Sequence, residues 1–169
     1  MPKQLPETLN FLRQVERNYR FEGEVPVARF SRLCEVLHSE SGRIEVKFEF
    51  GTSVGFASLK GRVKANLEVQ CQRCLQAMQV ELDSAFKFAF VHSEEEADEL
   101  PEEFEPYLIE GEEQLMLPVL EDEILLSLPM VTMHEQPCSA FMSAHEEQVK
   151  ASKEAAHPFA ALKGLKKSN

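Results

Sequence analysis

The chain has 169 residues, 43% of them hydrophobic, with twelve Phe and no Trp, which allows one domain with a real core and excludes a disordered chain or two full domains. Its formal net charge of −11 argues against a protein that binds polyanions over its whole surface. No apolar run approaches the roughly 18 residues of a membrane span, and the opening residues lack the apolar stretch of a secretory signal. A cytoplasmic chain is therefore expected, whose four Cys serve as free thiols, metal ligands or a transient redox pair rather than as a disulfide framework.

The charge is unevenly placed. Lys plus Arg stand at 12 against 9 Asp plus Glu in residues 1–80, at 2 against 19 in 81–150, and at 4 against 1 in 151–169. Such asymmetry fits either a polyanion-facing surface with a repelling opposite side or an acidic stretch that is simply solvated.

In chain order, "LNFLRQVERNY" reads as a short helix, and Pro26 followed by Val27, Phe30, Leu33, Cys34 and Leu37 predicts an amphipathic helix over 26–37 that starts at a proline. Cys34 is read as a core residue of that helix. From Arg43 the period changes to two: Ile44, Val46, Phe48 and Phe50 form one face of a strand. A longer strand places Leu59, Gly61, Val63, Ala65, Leu67, Val69 and Cys71 on one face. After Cys74 the apolar positions are even, at Val80, Leu82, Phe86, Phe88 and Phe90. Opposed residues of an antiparallel hairpin share a face and a constant sum of numbers. The switch from odd to even requires an odd sum, and a two-residue loop of Gln72-Arg73 gives 145, with Cys71 opposite Cys74. That loop lacks the Gly or Asn of a two-residue primed turn, so metal ligation or a longer turn is the alternative.

Residues 92–114 hold eleven acidic residues and two prolines and read as an acidic loop, with "YLIE" as a short strand inside it. Helix returns at 117–128, where Leu117, Leu120, Ile124 and Leu128 share a face and Glu121, Asp122 and Glu123 are expected as solvated acids in the early turns. Pro129 ends it. The expected architecture is α+β: a twisted, largely antiparallel β-sheet or partly open barrel over about 43–110, flanked by helices. Residues 1–133 form a single globular domain, and 134–169 a polar tail with a docking segment at 157–166.

The chemistry centres on Cys71, Cys74, His134 and Cys138, a Cys3His set of the kind that closes a tetrahedral structural zinc site. Two other readings of Cys71-x-x-Cys74 stand beside it. One is a thioredoxin-like redox pair, which wants a helix N-terminus near a βαβ unit; the other is a pair of reduced thiols that fill the end of the core. Lys60, Arg62 and Lys64 form a basic stripe, Arg73 caps the hairpin, and Lys163, Lys166 and Lys167 follow near residue 169. These are candidate phosphate contacts for RNA, against which stands their use in cross-strand charge pairs. No glycine-rich phosphate loop, Gly-x-Ser-x-Gly elbow or His-Glu-x-x-His occurs. His38, His92, His145 and His157 lie in polar surroundings without evident partners. A non-catalytic protein without a small-molecule substrate is expected.

Four blocks in order, "LEVQCQRCL" (67–75), "LPEEFEPYLIE" (100–110), "LEDEILLSLPMVTMHEQPC" (120–138) and "HPFAALKGLK" (157–166), resemble the YceD family of large ribosomal RNA subunit accumulation proteins. The resemblance implies a cytoplasmic ribosome-biogenesis factor that supports synthesis, processing or accumulation of large-subunit (23S) ribosomal RNA. Its partner would be that RNA or its precursor, or a ribosomal or assembly protein. The alternative is an acidic adaptor that binds such a protein without touching RNA. The family signature falls on Cys71, Arg73, Cys74, Glu121, Asp122, Glu123, Pro129, His134 and Cys138. The chain departs from it at Thr132, where the family often has proline, and in having a single cysteine, Cys138, in place of a second Cys-x-x-Cys.

Overall fold

The computed structural model describes residues 4–138 and Val149. In chain order, β1 (Thr8–Leu9), α1 (Phe11–Glu16) and β2 (Arg20–Pro26) precede a 3-10 turn at Val27–Arg29 and α2 (Ser31–Val36). Three long strands follow: β3 (Arg43–Ser53), β4 (Phe56–Gln70) and β5 (Ala77–Val91). Then come α3 (Glu94–Asp98), β6 (Glu105–Leu108), β7 (Gln114–Leu115) and α4 (Met116–Ser127). The sheet runs β2-β3-β4-β5-β6 and is open, with β1 and β7 as a separate antiparallel pair. Every neighbour in the five-stranded sheet is antiparallel except β5 and β6. The expected α+β class holds, as a twisted open sheet rather than a barrel.

The two-residue period explains the core. Phe21 and Val25 of β2, Ile44 to Phe50 of β3, Leu59, Val63 and Leu67 of β4, and Leu82, Phe86, Phe88 and Phe90 of β5 are buried in one cluster with Phe11, Leu33, Met116, Leu120 and Ile124 of the helices. Aromatic rings fill its centre, Phe11 lying 5.1 Å from Phe50 and 5.3 Å from Phe90. Gly61 sits opposite Phe86 in the β4–β5 register, and a Cβ there would collide with the Phe86 ring; the missing side chain is the space the ring occupies. The β3–β4 turn has two central residues of positive φ, Val54 at 53° and Gly55 at 87°, the backbone of a two-residue primed turn.

Several expectations are corrected. The helix over 26–37 is divided, because Pro26 still belongs to β2 and Phe30 is extended (φ −97°, ψ 91°) between the 3-10 turn and α2. Burial decides this: Val27, Phe30 and Leu33 are all fully buried, and the break lets all three side chains reach one core. The β4–β5 loop is longer than two residues. Gln70 pairs with Ala77, the Cys71 N–H donates to the Gln76 carbonyl at 2.9 Å, and the Leu75 N–H donates to the Cys71 carbonyl at 2.9 Å. The sum becomes 147, so Cys71 is not opposite Cys74. Since 147 and 145 are both odd, every side chain keeps its predicted face. Residues 92–114 remain mostly loop, as expected, but also carry the short helix α3, and the strand β6 (Glu105–Leu108) starts two residues before the expected "YLIE".

The acids of α4 are also placed differently from expectation. Glu121 and Glu123 are only 5% and 8% exposed, so they are core-facing rather than solvated. Burial raises the Glu123 carboxyl to about 7, with the charges of Glu105 and Asp122 acting in the same direction. Glu121 has partners. Its Oε1 accepts the N–H groups of Arg32 (2.8 Å) and Leu33 (3.1 Å), and its Oε2 accepts from Arg32 Nε at 2.9 Å. Phe30, the residue before α2, offers no side-chain cap, and the free N–H groups of the helix are satisfied from α4 instead. Replacing Glu121 with Ala is expected to lower the unfolding free energy by about 3 kcal/mol, since charged hydrogen bonds are lost and donors stranded. In urea denaturation Glu121→Gln should lose about half as much, because it keeps an acceptor oxygen.

Candidate metal centre

Cys71 lies one residue beyond β4, still on its inward face, and is fully buried. The turn then winds once, through the Leu75 to Cys71 hydrogen bond, with Leu75 in the left-handed region at φ 63°, and this returns Cys74 toward Cys71. The second pair of side chains arrives from the chain after α4. There Thr132 Oγ1 donates to the Gln70 carbonyl at 2.8 Å, and the Gln72 N–H donates to the Thr132 carbonyl at 2.8 Å. Thr132, the departure from the family proline, thus pins the strap to the end of β4 through both its hydroxyl and its carbonyl. His134 and Cys138, which the sequence assigned to the tail, follow directly and lie against the turn.

Cys71 Sγ is 3.7 Å from Cys138 Sγ, Cys74 Sγ is 3.5 Å from His134 Nδ1, and the four donor atoms lie within 4.8 Å of one another. A tetrahedral ion with metal–sulfur bonds of about 2.3 Å has sulfur–sulfur edges of about 3.8 Å. The Cys71–Cys138 edge therefore already has about the length such an ion requires, and the Cys74–His134 edge is close to the roughly 3.5 Å of a sulfur–nitrogen edge with metal–nitrogen bonds of about 2.0 Å. All four cysteines are free thiols, and 3.7 Å is far beyond a disulfide bond. The residues brought together are the four predicted from spacing, and their donor set is that of a closed site with no open coordination position.

The electrostatics suit a cation. Burial pushes the Cys71 thiol up, but hydrogen bonds from the backbone of Cys74, His134 and Arg73 outweigh it and hold the thiol at about 5. Burial likewise raises Cys138, and hydrogen bonds with Arg73, His134 and Cys74 bring it below the ordinary thiol range. At Cys74 a backbone hydrogen bond near Gln76 acts downward, while burial and the neighbouring thiols leave the group raised. His134 is raised by hydrogen bonds to Cys138 and Cys71. The cluster favours thiolate at two positions and resists it at the third, because like charges in contact oppose one another. A divalent cation removes that conflict.

Arg73, expected as a phosphate contact, is engaged in the cluster itself. Its Nε donates to Cys138 Sγ at 3.0 Å, and its Nη2 donates to the carbonyls of His134 (2.8 Å) and Gln136. Its backbone N–H points at Cys71 Sγ at 3.4 Å. One guanidinium thereby holds the 134–138 segment in place and supplies a positive charge beside the two cysteines whose thiols are held low, Cys71 and Cys138. Its position inside the Cys-x-x-Cys was the available signal, since only a residue of that turn reaches both halves of the cluster.

The other candidate cations lie on the solvent face of β4. Lys60 contacts Glu49 at 2.6 Å, Arg62 contacts Asp83 through Nη2 at 2.7 Å, and Lys64 contacts Asp83 at 3.2 Å. The sheet continues the pattern with Lys47–Glu22 and Arg43–Glu24. The shift in register explains the partners: Asp83 is opposite Lys64 and diagonal to Arg62. Lys163, Lys166 and Lys167 lie outside the described residues, as does the segment 157–166.

An open antiparallel sheet with a Cys3His cluster tying its longest hairpin to the chain after α4 defines a small α+β domain with a metal-ready staple. The family described as large ribosomal RNA subunit accumulation protein YceD matches residues 59–166, which include most of β4, all of β5 and α4, and all four cluster residues. The chain belongs to that family. A relative of the same name from Haemophilus influenzae (strain ATCC 51907 / DSM 11121 / KW20 / Rd) is 29% identical over 169 residues, covering 96% of each chain. No solved structure matches. Among the described residues no helix is long and apolar enough to cross a membrane.

If Arg73 positions the ligands, Arg73→Leu should weaken metal retention by about 10- to 100-fold in competition with a chromogenic chelator, the range for partners one shell away from a metal. Arg73→Lys keeps the charge but loses the fork that reaches two carbonyls and a sulfur, and an intermediate loss is expected.

Proposed function

We propose that the chain is a non-catalytic binding factor that supports accumulation of large-subunit ribosomal RNA in the cytoplasm, with one structural zinc ion on Cys71, Cys74, His134 and Cys138. The observation that carries this reading is the family match over residues 59–166, because it joins the hairpin, the ligand set, the buried acids of α4 and the segment 157–166 in one pattern. Zinc is chosen over other metals for its preference for three sulfurs and one imidazole in a closed tetrahedron. The ion's role is to fold the strap onto the hairpin, since binding free energy at such a site is folding free energy.

The face proposed for RNA is the solvent side of β4, with Lys60, Arg62 and Lys64, joined by Lys163, Lys166 and Lys167. Surface ion pairs contribute only about 0 to 1 kcal/mol each, so phosphates can displace the carboxylates of Glu49 and Asp83. A second reading is favoured by those same pairs and by the 2-against-19 imbalance of residues 81–150. In it the acidic surface binds a basic ribosomal or assembly protein and does not touch RNA.

Binding of the purified full chain to large-subunit ribosomal RNA, measured from about 50 to 300 mM salt, separates the two. RNA contact predicts that log Kd changes linearly with log salt, with a slope of about 0.7 to 0.9 per neutralised phosphate. It also predicts that Lys60→Gln combined with Lys64→Gln reduces that slope by about 2 units. No association with naked RNA, together with salt-sensitive binding to a basic large-subunit protein, would transfer the function to the second reading. Association with neither would reject both.

A further inference from the structure

Next to the cluster lies an open groove of about 790 Å³, walled on one side by the β4–β5 hairpin (Glu68, Ala77, Met78) and on the other by the strap (Met133, Glu135, Pro137). The strap is unusual in its polarity. Its carbonyls and the Thr132 hydroxyl are turned to Gln70, Gln72 and Arg73, and its apolar side chains are turned to solvent. Met130 is 93% exposed, Val131 57% and Met133 46%. Leu75 at the hairpin turn is 61% exposed. Of these, Met133 lines the groove together with Met78 and Ala77, and exposed apolar side chains on a backbone held this firmly mark a surface that another segment covers. Among the described residues neither Glu68 nor Glu135 forms an ion pair with a cation, the carboxylate of Glu68 accepting only from Gln79 Nε2 at 3.1 Å.

We propose that the occupant is the chain's own segment 157–166, "HPFAALKGLK". Three observations select it. It carries apolar residues three apart, Phe159, Leu162 and Leu165, with Lys163 and Lys166 between and beside them, so it complements a groove of Met and Ala flanked by two carboxylates. Apart from Val149, the described residues end at Cys138, itself a lining residue of the groove. Eighteen residues, 139–156, separate it from His157, a length of chain ample for a return to the groove. Finally, the family match runs without a break from the hairpin to residue 166, so the segment and the groove belong to one pattern. Docking there covers Met78 and Met133 and sets the segment in competition with any basic, apolar peptide of a partner for the same surface.

The test uses the full chain with its methionine methyl groups labelled with 13C. Phe159→Ala removes the ring that lies against the groove, and the methyl resonances of Met78 and Met133 should move, while that of Met116, fully buried in the core, stays in place and reports an intact fold. A benzophenone side chain at position 159 should crosslink within the same molecule to the peptides that hold Met78 or Met133. The proposal is overturned if both methyl groups are unmoved. It is equally overturned if the crosslinks fall on another face, or if the shifts and crosslinks vanish on dilution, which would assign the groove to a second copy.

Discussion

The junction between the β4–β5 turn and the chain after α4 rests on one contact set, that of Cys71, Cys74, His134 and Cys138 within 4.8 Å of one another. Three of these groups are ionisable thiols, and thiolates placed so close repel one another unless a cation is shared. Arg73 supplies part of that charge from inside the turn, and a divalent ion held by the four side chains would supply the rest. The strap hydrogen bonds of Thr132 and Gln72 set its path, but a few neutral hydrogen bonds contribute only about 1 kcal/mol each. A metal site contributes much more to folding. The exposed Met130, Val131 and Met133 then follow from the tie, because a strap whose backbone faces inward must direct these side chains outward.

A second tie works in the middle of α4. Glu121 satisfies the N–H groups that open α2, 88 and 89 residues earlier in sequence, and locks Arg32 in the same contact. α4 is thereby fixed against α2 through a buried carboxylate at Glu121 and against the sheet through Met116, Leu120 and Ile124. Since the strap begins where α4 ends, the orientation of the helix determines where His134 and Cys138 arrive. The buried acid and the thiol cluster therefore act on one lever arm.

The sheet could be read from the sequence wherever one face is buried, because the two-residue period of Ile44 to Phe50 and of Leu59 to Val69 allows a single inward face. The odd-to-even switch between β4 and β5 was also sound, and the four residues of the Cys3His set do come together. Less could be read where long-range contacts decide. The hairpin register depended on a turn whose length is governed by backbone geometry at Leu75, and parity alone does not distinguish a sum of 145 from one of 147. Glu121 looked like a surface acid since nothing local identifies the distant helix it caps. Arg73 looked like a phosphate contact for the same reason: its partners are 61 to 65 residues away. Phe30 broke a helix whose spacing was correct, as three fully buried side chains outweigh local helical preference.

The most direct test of the account is the metal content of the full chain purified without an affinity tag, measured together with thermal unfolding before and after chelation. One zinc per chain is predicted, with a Tm that falls when the metal is removed, and both should be lost on Cys74→Ser and on Cys138→Ser. A metal-free protein with four titratable thiols, whose Tm is indifferent to chelator, would contradict it and leave the four side chains as packing alone.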